Sequence, residues 1–184
     1  MAKPVVVVTG VSGNLGSRLL PLLGSYSVIG VDVSPPRTDS ELRFESLDLG
    51  EESSTRVLYE LLRDTHAYAM IHLAFVIDPV RTGVVDVERM WQINVAGTAR
   101  VMEAVTEANR TTDDGVKQFI FPSSVSAYGS NLPAPATEES LLQRTPFPMP
   151  STRSSRMKSY RPDPTLCVVA AHIFCGRTSL PARV

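Results

Sequence analysis

Thr9-Gly10-Val11-Ser12-Gly13-Asn14-Leu15-Gly16 is the stretch whose residue types and spacing most directly define a chemistry. Gly10 permits a tight turn, Gly13 lets backbone approach a pyrophosphate, and Gly16 lets a helix pack closely on the preceding strand. The helix that follows would present free amide donors and a favourable dipole to phosphate oxygens. An ordinary glycine-rich turn is the competing explanation, but a valine run before the loop and a leucine stripe after it supply the context a phosphate cradle needs. No Gly-Lys-Ser/Thr follows, which excludes a nucleotide P-loop. Asp32 lies 16 positions beyond Gly16, at the end of a second apolar run. A carboxylate there accepts hydrogen bonds from both hydroxyls of an adenosine ribose and repels a 2′-phosphate, so NAD is favoured over NADP. Arg37, five residues further in a Ser-Pro-Pro-Arg segment, would soften that preference. Asp48, in Leu47-Asp48-Leu49, is either an acceptor for the adenine amino group or a solvated acid closing a strand.

Holding these residues requires strands and helices in alternation. Residues 3–9 hold a run of four valines ending before Gly10, short and β-branched, the mark of a strand buried on both faces. Residues 14–24 carry Leu15, Leu19, Leu20, Leu22 and Leu23 as a helical stripe ending at a glycine, with Pro21 as an internal obstacle. Further strands are expected at 27–31, 42–47, 68–73, 117–121 and 165–170. Residues 52–63 read as a helix with acids early and Arg63 late, as its dipole prefers. The longest helical pattern, 86–109, places Val87, Met90, Trp91, Val95, Thr98, Val101, Met102 and Val105 on one face. Alternating strands and helices imply a parallel α/β sheet covered on both sides.

Composition narrows the classes further. The 184 residues are 43% hydrophobic and 20% charged, with a net charge of −1. That balance provides no field for a nucleic-acid backbone or an anionic membrane surface. The apolar run at the N-terminus is too short for a signal peptide or membrane span. Two cysteines, Cys167 and Cys175, are too few for a disulfide framework, so reduced thiols in a cytoplasmic protein are expected. Charge is unevenly spread. Residues 1–150 hold 12 Lys/Arg and 18 Asp/Glu, a balance of −6, while 151–184 hold six Lys/Arg and one acid, a balance of +5. Half of the 14 prolines fall between Pro133 and Pro164.

Taken in order, Thr-Gly-x-x-Gly-x-x-Gly, Leu47-Asp48-Leu49, His72-Leu73-Ala74, Asn94-Val-x-Gly97-Thr98 and Ser123-Ser124-x-x-x-Tyr128-Gly129 resemble the extended short-chain dehydrogenases/reductases. Within these the chain resembles the NAD-dependent epimerase/dehydratase group acting on nucleotide sugars and related alcohols. The resemblance runs over residues 4–130 and implies a three-layer Rossmann fold with a doubly wound parallel sheet. It implies that Gly10, Gly13, Asn14, Leu15 and Gly16 cradle the NAD pyrophosphate and that Asp32 holds the ribose. Asp48 and Leu49 would border the adenine, while Leu73, Ala74 and Phe75 would line the cofactor's path. Asn94 would brace the active-site backbone, or simply cap a neighbouring loop, and Ser124 would be the catalytic serine. His72 reads as a packed strand residue rather than a base, and Met90 and Trp91 as core or a subunit contact. The partners implied are a small-molecule substrate and a second copy joined through helix 86–109. No metal site is indicated.

The resemblance also calls for a tyrosine with a lysine four residues later. The lysine lowers the phenol pKa so that a tyrosinate can exchange a proton with the substrate while hydride moves to or from nicotinamide. No tyrosine in the chain has that partner: Tyr26 is followed at the fourth position by Gly30, Tyr59 by Arg63, Tyr68 by His72, Tyr128 by Leu132 and Tyr160 by Pro164. About 25 residues beyond Ser124, where the pair belongs, Met149 and Arg153 have the spacing without the chemistry. Expected accordingly are an NAD(P)-binding Rossmann domain at 1–130, a proline-rich degenerate active-site segment at 131–164, and a last strand and tail at 165–184, with no substrate-binding domain. Three readings follow: an oxidoreductase of epimerase/dehydratase type with its catalytic pair lost, a non-catalytic NAD-sensing module, or a shortened or frame-altered form of a longer enzyme.

Overall fold

Val5–Thr9 forms β1 at the centre of a sheet in which every pairing is parallel. The structure, a computed structural model, describes residues 2–37, 42–77, 82–122, 128, 135, 137 and 167–169. The remaining strands are β2 (Ser27–Asp32), β3 (Arg43–Ser46), β4 (Ala69–His72), β5 (Gln118–Ile120) and β6 (Cys167–Val169), arranged in the order β3-β2-β1-β4-β5-β6. Val7 pairs with Ile29 on one side and Met70 on the other, fixing the register of the three central strands. Alternate side chains serve two cores. Val7, Ile29, Val31 and Met70 join Leu58, Leu62, Val101 and Val105 on one face, whereas Val6, Val8, Val11, Ala69 and Ile71 form the core of the other. Each valine buried this fully contributes roughly 1.5–3 kcal/mol relative to exposure. Both faces of β1 are therefore apolar, which explains an unbroken valine run where a half-exposed strand would alternate.

The α-helices with both ends among the described residues are α1 (Asn14–Leu19), α2 (Ser54–Asp64), α3 (Val87–Trp91) and α4 (Thr98–Thr111). Pro21 has the consequence its sequence position implies: the α-helix gives way to a 3₁₀ turn at Leu20–Leu23. Leu22 is left exposed there, while Leu19, Leu20 and Leu23 pack on the second core. The single helix expected over 86–109 is instead α3 and α4 joined by a π-helical turn at Gln92–Gly97. Asp86 starts α3, its carboxylate accepting from the Glu88 amide at 3.0 Å. The expected one-sided stripe is also corrected, because Val87 and Trp91 are exposed whereas Thr98, Val101 and Val105 are buried. The wide turn offsets the two segments, so a period counted across it does not describe one face. α2 and α4 pack together over the first core.

Candidate functional site: a glycine turn at the sheet's switch point

β1 lies between β2 and β4, where chain order reverses across the sheet. Open α/β sheets bind ligands in the crevice such a reversal creates. Gly10 occupies the turn with φ +71°, and a Cβ built on it would stand 2.5 Å from the Ala74 amide nitrogen and 2.7 Å from the Leu73 carbonyl carbon. Only glycine lets the two loops approach so closely. Gly13 is less constrained, its added Cβ standing 3.1 Å from the Gly10 carbonyl oxygen. A Cβ on Gly16 would strike the Gly10 carbonyl and stand 2.5 Å from the Val11 carbonyl oxygen, so this position seats α1 on the loop. Gly13, Asn14 and Leu15 are exposed above a buried Gly16, which leaves the backbone rim open to a ligand.

Asp32 is tied into the same loop. One carboxylate oxygen accepts from the Ser12 amide at 3.0 Å and the other from its neighbour Val33 at 2.8 Å. The Gly10 amide donates to the Val31 carbonyl at 2.9 Å, and the Ser12 hydroxyl reaches the Ser34 carbonyl at 2.5 Å. The glycine turn and the acid are thus one hydrogen-bonded unit. Arg37 is exposed three residues beyond Ser34.

Asp48 caps the turn after β3, accepting from the Gly50 amide at 2.8 Å and pairing its second oxygen with Arg89 of α3. Arg89 also lies 3.6 Å from Glu51. Leu49 is buried in the first core, and its carbonyl accepts from Arg100 at 3.0 Å. Leu73, Ala74 and Phe75 leave β4 half-buried. Asn94, 4% exposed within the π-helical turn, clamps Val76 at both ends of its backbone. Its amide oxygen accepts from the Val76 N–H at 2.7 Å and its amide nitrogen donates to the Val76 carbonyl at 2.9 Å. His72 is buried between two hydroxyls, with Nδ1 2.7 Å from Thr9 and Nε2 3.1 Å from Thr98.

The structure therefore gathers Gly10, Gly13, Gly16 and Asp32 around one turn, with Leu73 and Ala74 against it. Asn94 acts on the same segment from α3's side. Ser124 lies outside the described residues, as do Met149, Arg153 and Tyr160. Sequence reasoning did not anticipate the Arg89–Asp48 pair, whose members stand 41 residues apart with no shared motif. Thr9 and Thr98 were visible within quoted motifs, but their meeting at His72 was not. Among the described residues no cluster of three His, Cys, Asp or Glu could hold a metal. Perturbed acidities lie on the exposed faces of α2 and α4, where Arg110 holds the Glu107 carboxyl below its usual range and Arg63 does the same to Asp64.

A parallel sheet ordered in this way, with a glycine turn at its switch point and an acid ending β2, defines a Rossmann fold of the dinucleotide-binding type. The chain belongs to the NAD dependent epimerase/dehydratase family, whose sequence profile matches residues 6–158. An uncharacterized epimerase/dehydratase of Staphylococcus aureus is 26% identical over 146 residues, covering 76% of this chain and 42% of that protein. Among solved structures, the Bordetella bronchiseptica enzyme WbmH in complex with NAD+ superposes with a TM-score of 0.68 at 19% identity, covering 94% of this chain and 56% of that one. MoeE5 in complex with UDP-glucuronic acid and NAD gives 0.65 at 26% identity, covering 89% and 52%. The chain spans about half the length of the proteins it matches. Among the described residues no helix is long and apolar enough to cross a membrane.

Proposed function

We propose that the chain binds NAD in the crevice above β1 and β4, as the cofactor half of an oxidoreductase-type epimerase/dehydratase acting on a sugar nucleotide or a related alcohol or ketone. The observation that carries this reading is the Gly10 turn hydrogen-bonded into one unit with Asp32. The residues fit the group, since Gly13, Asn14 and Leu15 leave exposed backbone at the loop's rim beside Asp32. When bound, NAD supplies a hydride acceptor at its nicotinamide. The chain's own part is to receive the pyrophosphate on the amides of Gly13, Asn14 and Leu15 and to hold the ribose on Asp32. Asp48 and Leu49 border the adenine, and Leu73 to Phe75 carry the path toward the active-site end. Support for the substrate class comes from MoeE5, a family-like structure containing UDP-glucuronic acid.

Calorimetric titration of the purified chain tests this reading: saturable NAD binding is expected, and its absence would overturn the proposal. Asp32→Asn keeps an acceptor for only one of the two amides that the carboxylate holds and loses the charge. NAD should then bind about tenfold more weakly, as hydrogen bonds to a charged acceptor are worth about 1.5–3 kcal/mol. The preference for NAD over NADP should narrow as the repulsion disappears. An unchanged NAD/NADP ratio would remove Asp32 from the ribose site.

A second reading, a non-catalytic NAD-sensing module, is favoured by the lack of any tyrosine with a lysine at the fourth following position. Turnover of a sugar nucleotide that disappears in Ser124→Ala would overturn it. Either reading includes a cytoplasmic location and a homodimer through residues 86–109, with Val87 and Trp91 as the exposed apolar side chains on offer. Sedimentation of a monomer at micromolar concentration would exclude that dimer.

A further inference from the structure

We infer that His72 is a positioning residue, held as the Nε2–H tautomer, which links the glycine turn to the Asn94 clamp on Val76. Hydroxyl protons settle the direction of the chain. Thr98 Oγ1 stands 2.7 Å from the Asn94 carbonyl oxygen, which can only accept, so the Thr98 proton is directed there. The same Thr98 oxygen is 3.1 Å from His72 Nε2 and has only lone pairs left to offer, so Nε2 carries a proton. A neutral ring protonated at Nε2 presents a lone pair at Nδ1, and the Thr9 hydroxyl donates to it across 2.7 Å. The order is Thr9 to His72, His72 to Thr98, and Thr98 to the backbone of Asn94.

Thr9, His72 and Thr98 are 0%, 1% and 4% exposed, so bulk water does not compete for these partners. Phe121 stacks on the imidazole with centroids 5.5 Å apart and planes 17° from parallel, fixing the ring's plane. The placement gives the link its purpose. Thr9 immediately precedes Gly10, and His72 immediately precedes the Leu73-Ala74 backbone on which Gly10 rests. Thr98 lies one turn beyond Asn94, whose side chain holds Val76. One imidazole therefore ties both walls of the crevice to the helix that braces them. Burial obliges both ring nitrogens to find partners, and here the two partners come from different elements, β1 and α4. The consequence for NAD affinity rests on the proposed function; the link itself does not.

The test combines three measurements on the full chain. Long-range proton–nitrogen spectra of the ¹⁵N-labelled protein should show a protonated Nε2 and an unprotonated Nδ1 at neutral pH. Amide exchange at Val76 should be about tenfold faster in Thr98→Val and close to the parent in Thr98→Ser, which restores the hydroxyl. NAD should bind about tenfold more weakly to Thr98→Val and normally to Thr98→Ser. A proton on Nδ1, a folded Thr98→Val with unchanged Val76 exchange, or a Thr98→Ser that behaves as Thr98→Val would each overturn the link. If Thr98→Val does not fold, the tautomer and the Thr98→Ser comparison with the parent still decide it. A parent protein that binds no NAD overturns the functional reading alone, because tautomer and exchange are read without cofactor.

Discussion

Gly10→Ala is expected to lose NAD binding and to unfold at markedly lower denaturant. Two effects add. An L-residue at φ +71° costs about 1–2 kcal/mol, and forcing a methyl group against the Leu73-Ala74 backbone costs a further 1–3 kcal/mol. A combined loss of about 2–5 kcal/mol would be a large part of the stability of a domain this size. Relief is restricted because the colliding atoms are main chain, and the Leu73 N–H is itself hydrogen-bonded to the Thr9 carbonyl at 3.0 Å. Gly24→Ala is the matched control. That residue has φ −58° and nothing within 4 Å of the added carbon, so a gain of about 0.4–1 kcal/mol is expected. Urea unfolding of both variants checks the pair, and equal effects would refute the steric account of the turn.

Asn94→Leu should be the second severe substitution. Leucine has a similar volume but makes neither bond to Val76, leaving a buried N–H and a buried carbonyl without their partner. At about 1–3 kcal/mol per group, the expected loss for the two groups is about 2–6 kcal/mol. The damage should be local as well as global. Hydrogen exchange along 73–77 should accelerate more than exchange in β2, and NAD affinity should fall with it. A variant whose 73–77 amides stay as protected as the parent's would show that the clamp does not organise this segment.

The central strands were legible in the sequence because burial on both faces leaves a short β-branched apolar run, unbroken valine in β1 and Val28, Ile29 and Val31 in β2. The glycine turn was legible because Gly10 and Gly16 answer steric demands that no other residue meets. Pro21 likewise announced the end of α1. The offset between α3 and α4 was not legible: Val87 and Trp91 fit the 3.6-residue period as well as Val101 does, and a single wide turn leaves no signature in composition. Long-range polar partners were equally hidden. Thr9 and His72 are 63 residues apart, and Asp48 and Arg89 are 41 apart, so only the fold brings them together.

The wide turn at Gln92–Gly97 has a consequence for how surface is allotted. A helix advances about 100° per residue, so one extra residue in a turn rotates everything beyond it by about that angle. Upstream, the apolar meridian through Val87 and Trp91 faces outward; downstream, the meridian through Val101 and Val105 faces the sheet. A straight helix with the same side chains would have to turn both halves the same way. The inserted residue acts as a change of phase, letting one unbroken run from Val87 to Thr111 address the interior with one end and the exterior with the other.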